Sequence, residues 1–95
     1  MEAAELLPTL ASELHLTETD LLREGMAAVL QRQIRQLNAD ISEICGRYRV
    51  TGAEALQARY EDGSLPEADS WRDLQRLDHL EYKRDRLRQL LDQVQ

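Results

Sequence analysis

Between Glu18 and Tyr48 the chain has no proline, and Ala27, Leu30, Ile34, Leu37, Ile41, Ile44 and Tyr48 recur at alternating steps of three and four. That spacing keeps one stripe of a helix apolar turn after turn. It predicts a single long helix over 18–48, about 45 Å at the helical rise per residue. A chain of 95 residues cannot enclose such a helix, so it must lie along a second one of similar length. The sequence supplies it: Leu77, Leu80, Leu87, Leu91 and Val94 keep the same spacing, Trp71 and Leu74 open the face, and Arg84 stands where an apolar residue is expected. This predicts a helix over 70–94, about 37 Å long.

The remaining signals are short. Pro8 suits the first turn of a helix over 9–15. Thr17 with Asp20 resembles a capping box for the first long helix, and Thr51 with Glu54 forms a full one for a helix over 52–61, stopped by Gly63. Ser64-Leu65-Pro66 reads as a break, and Ser70 with Asp73 as a third box. Strand signals are nearly absent. The expected fold is all-α and a single domain over 1–95: an antiparallel pair of long helices, a coiled-coil-like hairpin, with short N-terminal and connector helices. Its candidate interface residues are Met26, Leu30, Ile34, Leu37, Ile41 and Ile44 on the first helix and Trp71, Leu77, Leu80, Arg84, Leu87 and Leu91 on the second. Met26 and Val29 widen the first stripe beyond what one neighbour covers. With no Phe in the chain, the core is also thin. Both observations predict a homodimer assembled as a bundle.

Twelve Lys and Arg face eighteen Asp and Glu, and the excess is uneven: residues 1–24 carry −5 and residues 61–70 carry −4, while 25–60 and 71–95 are slightly positive. An acidic chain lacks the phosphate attraction behind most DNA affinity, so tight nucleic-acid binding by the protein alone is not expected. A small basic protein is the partner such a surface suits. The single cysteine, Cys45, excludes an internal disulfide and fits a reducing cytoplasm. No apolar run reaches the ~18–20 residues of a membrane span, and MEAAELLPTL is acidic where a secretion signal is basic.

The strongest catalytic candidates are two carboxylate pairs, Asp40 with Glu43 and Asp78 with Glu81. Facing helices use such pairs to hold metal in nucleotide hydrolases and di-iron bundles. Register places them on opposite edges of an antiparallel pair, and Arg47 is spaced to pair with Glu43 on the surface. They read as solvated faces, with no metal or cofactor expected. His15 and His79 have no second ligand at helical spacing. Cys45 lacks a base and reads as a half-buried apolar residue. Arg84 either snorkels over apolar surface or fixes register through an acid across the seam.

Residues 10–30, LASELHLTETDLLREGMAAVL, resemble the two-helix part of ribbon-helix-helix proteins through Thr17, Leu21, Leu22, Arg23, Glu24 and Gly25. That family reads DNA with a strand before its first helix. Here an acidic segment precedes Pro8, so the DNA-reading role does not transfer. The whole chain is similar to a group of small prokaryotic helical proteins of mostly unassigned function, through LLREG (21–25), RYRV (47–50) and GSLPEADSWRDL (63–74). The resemblance implies a non-catalytic, antitoxin-side partner of a small toxin. A transcription regulator contacting DNA through 10–30, and a metal-dependent nucleotide hydrolase, are the alternatives.

Overall fold

The computed structural model describes residues 2–65 and 67–95, with side chains from residue 70 onward in the second stretch. Four helices occupy these residues: α1 (Ala3–Glu13), α2 (Glu18–Tyr48), α3 (Ala53–Glu61) and α4 (Glu67–Val94). The chain is an all-α helical hairpin. α2 packs along α4, α3 fills the junction against α4, and α1 folds back on the start of α2. The molecule measures 60 × 25 × 16 Å.

α2 keeps the limits its spacing predicts. Thr17 accepts a hydrogen bond from the Asp20 amide at 3.0 Å, while the Asp20 carboxylate turns to Arg23 at 3.2 Å, so the box closes on one side only. The helix stops at Arg49, whose φ of 55° is left-handed, and the Val50 amide returns to the Cys45 carbonyl at 3.1 Å. His15, at φ 57°, ends α1 the same way.

Three of the predicted starts differ. α1 begins at Ala3, so Pro8 lies inside the helix instead of in its first turn. The Ala-Ala-Glu-Leu-Leu run before it consists of strong helix formers. The carbonyl that Pro8 leaves without a donor belongs to Ala4, an exposed residue that water can reach. α4 begins at Glu67, so Ser70 is a helical residue, buried to 2% exposure, and not a cap. α3 begins after Gly52, not at Thr51, and carries no side-chain cap from its own segment. The predicted break at Ser64-Leu65-Pro66 holds for Ser64 and Leu65, which are non-helical, while Pro66 lies outside the described residues.

The core is concentrated at the connector end. Leu37, Ile41 and Ile44 of α2 meet Ala53 and Leu56 of α3 and Leu74, Leu77 and Leu80 of α4; Leu56 and Leu77 are fully enclosed. Polar contacts lock the same end. Asp73 accepts from the Tyr48 hydroxyl at 2.5 Å and from Arg47 at 3.1 Å, and the Arg59 guanidinium donates to the Tyr48 carbonyl. Toward the other end, α1 and residues 18–36 of α2 bury only Ala11 and Ile34 among the described residues.

Candidate interaction surface

Burial is lopsided because the two long helices overlap only in part. The Tyr48–Asp73 contact fixes their antiparallel register, and counting turns from it places Val94 near residue 27 of α2. The first turns of α2 therefore run past the end of α4, with only α1 beside them. Leu6 and Leu10 of α1, Leu14 just past its end, and Leu22, Met26 and Val29 of α2 stay between 47% and 52% exposed. Between these helices and Leu90 and Val94 of α4 opens a groove of about 1070 Å³. Gly25 is among the residues that line it.

Within the predicted interface set, Ile34, Leu37, Ile41, Ile44, Leu77 and Leu80 are buried, and Leu30, Leu87 and Leu91 are half-buried. Two residues leave the seam. Met26 lies one position before the seam residue Ala27 and opens onto the groove, 51% exposed. Trp71 lies one position after buried Ser70; it is 48% exposed and meets Tyr60 in a tilted contact, with ring centres 5.5 Å apart and 43° between the ring planes. The leucines of α1, together with Leu22, belong to the surface and were absent from the expected set. The signal for them was the doublets Leu6-Leu7 and Leu21-Leu22: adjacent helical residues point about 100° apart, so one neighbour cannot cover both.

Arg84 is half-buried, and its guanidinium pairs with Asp85, the next residue in its own helix, at 3.0 Å. This pair lies within one helix and is not the acid across the seam that the second of its two readings requires. Glu43 reaches Arg47 only at 3.9 Å, and Arg47 sits closer to Asp73.

Residues 1–95 match the description "Uncharacterized protein MJ0235 family" in full. The chain belongs to that family. Neither a curated protein nor a solved structure matches it.

The carboxylate pairs of this MJ0235-family chain serve different ends. Asp40 accepts from Gln36 at 3.1 Å. Glu81, expected on a solvated face, is half-buried and accepts the Ala53 amide at 2.8 Å. It thereby caps α3 from a different helix, which is a correction to both the Thr51–Glu54 box and the surface reading of Glu81. Gly52 permits the approach, since a Cβ there would meet Glu81 Oε2 at 3.0 Å. Glu81 and Arg84 border a shallow polar depression over the start of α3. Cys45 is half-buried against the core. Burial first, and the Glu81 charge second, raise its thiol pKa, with Arg84 opposing. Such a thiol is a weak nucleophile at neutral pH. Among the described residues no three His, Cys, Asp or Glu side chains converge on one point, and no helix is long and apolar enough to cross a membrane.

Proposed function

We propose that this chain is a non-catalytic protein-interaction module working through the groove formed by α1, the start of α2 and the end of α4. The antitoxin side of a toxin pair, with a small basic partner, is the setting its sequence resemblance implies. One observation carries the reading. Leu10, Leu22, Met26 and Val29, each about half exposed, line one groove at the end of the molecule away from its buried core. Contiguous apolar patches of this kind mark contact sites in soluble proteins. The lone cysteine supports a reducing cytoplasm as its compartment.

The same groove supports a second reading, the homodimer. Pairing two copies would cover the face that α4 leaves bare. It would also set one strongly acidic segment, residues 1–24 at −5, against another. A basic partner removes that repulsion. Residues 10–30 offer little to DNA, because Arg23 is the sole cation of the first 24 residues and is paired with Asp20. A hydrolase built on the two carboxylate pairs would have to draw Glu81 away from α3.

Affinity capture from the native host with wild type and Met26→Glu tests the proposal. The expected result is one small basic protein held by wild type and lost by the variant. A specific gel shift by the protein alone, or Mg²⁺-dependent nucleotide turnover abolished by Glu43→Gln, would replace it with the regulator or the hydrolase.

A further inference from the structure

We infer that the groove receives a single amphipathic helix with basic flanks, supplied by a different protein, and that this helix crosses α2 at Gly25. The inference rests on the interaction reading above and adds to it the shape, the charge and the crossing point of the occupant.

Gly25 sits in the eighth position of a 31-residue helix, and a glycine in a helix interior is less favourable than Ala. Nothing inside the chain accounts for it. Its φ is not left-handed, and among the described residues no atom beyond its chain neighbours and its own helical backbone lies within 4 Å of where its Cβ would stand. Gly46, the other glycine of α2, stands in the last turn, beside the left-handed Arg49 that ends the helix. Gly25 instead lines the groove, together with Leu22 and Met26. Bare backbone at that point lets an incoming backbone approach more closely than any side chain would allow. Leu22, Met26 and Val29 stand one helical turn apart on the same floor, the spacing that holds a helix laid into a groove.

Charge selects the occupant. Glu5, Glu13, Glu18 and Glu24 are exposed on the two helices that border the groove, without themselves lining it, and Arg23, the one charged side chain lining it among the described residues, is paired with Asp20 at 3.2 Å. Leu90, Gln93 and Val94 bring the C-terminal end of α4 to the rim, and that last turn has no basic residue to offset the negative end of its dipole. Lys or Arg flanking an apolar face would meet both. A second copy docking by the same end brings neither, since its own segment carries the same −5. Its basic stretch, Tyr82 to Arg88, carries one exposed large side chain, Tyr82 at 73%, and a single ring does not make the row of apolar side chains that the groove's stripe calls for.

The probe is a fluorescein-labelled peptide of Leu and Lys at helical spacing, compared with a scrambled peptide of the same composition and with a Leu/Glu version. Anisotropy is read against the wild-type protein, Gly25→Ala and Gly25→Leu. Wild type should bind the Leu/Lys peptide at least about tenfold more tightly than either control, a gap of roughly 1.4 kcal/mol. Gly25→Leu should lose at least about tenfold and Gly25→Ala an intermediate amount, while both melt at or above the wild-type temperature, because Ala and Leu are better helix formers. Unchanged peptide binding by Gly25→Leu would refute the crossing point. Equal binding of the scrambled peptide would reduce the attraction to bare charge and overturn the inference. A wild-type dimer in sedimentation equilibrium that Gly25→Leu converts to monomer would give the groove to a second copy. That result overturns this inference and leaves the interaction reading standing. Capture of a partner insensitive to Met26→Glu, with no peptide binding, would remove both.

Discussion

Removing the Glu81 carboxylate should uncouple α3 from α4, and the size of the effect follows from what the carboxylate touches. The N-terminus of α3 has no cap of its own: Gly52 offers no side chain, and the Thr51 hydroxyl makes no capping bond. Its first amide, Ala53, donates instead to Glu81 Oε2 at 2.8 Å in a half-buried setting. A hydrogen bond to a charged acceptor is worth about 1.5–3 kcal/mol. The carboxylate also faces the positive end of the helix dipole, typically another 0.3–1 kcal/mol. Water can partly replace both, so Glu81→Ala should cost about 2 kcal/mol and Glu81→Gln, which keeps an acceptor without the charge, about 1 kcal/mol. For a domain of this size each kcal/mol moves the melting point by about 4–8 °C. Urea unfolding followed by circular dichroism measures the loss. Native-state hydrogen exchange should show the Ala53 amide losing protection first, because the lesion is local. A Glu81→Ala protein within about 0.3 kcal/mol of wild type, with Ala53 still protected, would refute the cap.

Leu77→Ala, at a fully enclosed position, should cost about 3–5 kcal/mol in the same unfolding assay, and Ile41→Ala about 2–5 kcal/mol. Loss of less than about 0.5 kcal/mol in either would mean the helix register is wrong. Tyr48→Phe removes the 2.5 Å bond to Asp73 and should cost at least about 1 kcal/mol, with the loss confined to the connector end. Arg84→Leu should melt at or above wild type, since the ion pair Arg84 makes among the described residues is with its sequence neighbour Asp85; a loss of several kcal/mol would reveal a buried network. Cys45 should react with alkylating reagents at neutral pH more slowly than an unstructured cysteine. Its folded pKa is raised, chiefly by burial, so the stability it contributes is complete below the thiol's ordinary value and is lost as pH rises through the folded one. Denaturant titrations from neutral to alkaline pH, compared with Cys45→Ser, would show it.

The parts of the fold that could be read from the residues are those governed by local spacing. Both ends of α2 follow from Thr17 and from the unbroken steps of three and four that end at Tyr48. The pairing of α2 with α4 follows from the length of their stripes. The errors came where a distant group took over a local role. Thr51 and Glu54 have the spacing of a capping box, yet the donor they would satisfy is held by Glu81, 28 residues beyond Ala53. Ser70 has the composition of a cap, yet burial against the core suits a small helical residue equally well. The groove was half legible. Met26 and Val29 marked the stripe as too wide for one neighbour, but the extra length of α1 was hidden by Pro8, which reads as a helix start. How far α4 reaches along α2 depends on the Tyr48–Asp73 contact, a tertiary fact that no periodicity contains.

The narrowness of the molecule changes how its mass must be weighed. Its radius of gyration is 19.3 Å, whereas a compact chain of this length would have about 12 Å. On a gel-filtration column a single copy of 11.0 kDa will therefore run ahead of globular standards of its own mass and imitate a dimer. Diffusion-based sizing carries the same bias, because friction grows with length. Whether the groove is filled by a twin or left open for another protein is decided only by methods that weigh particles without regard to outline, such as light scattering or native mass spectrometry.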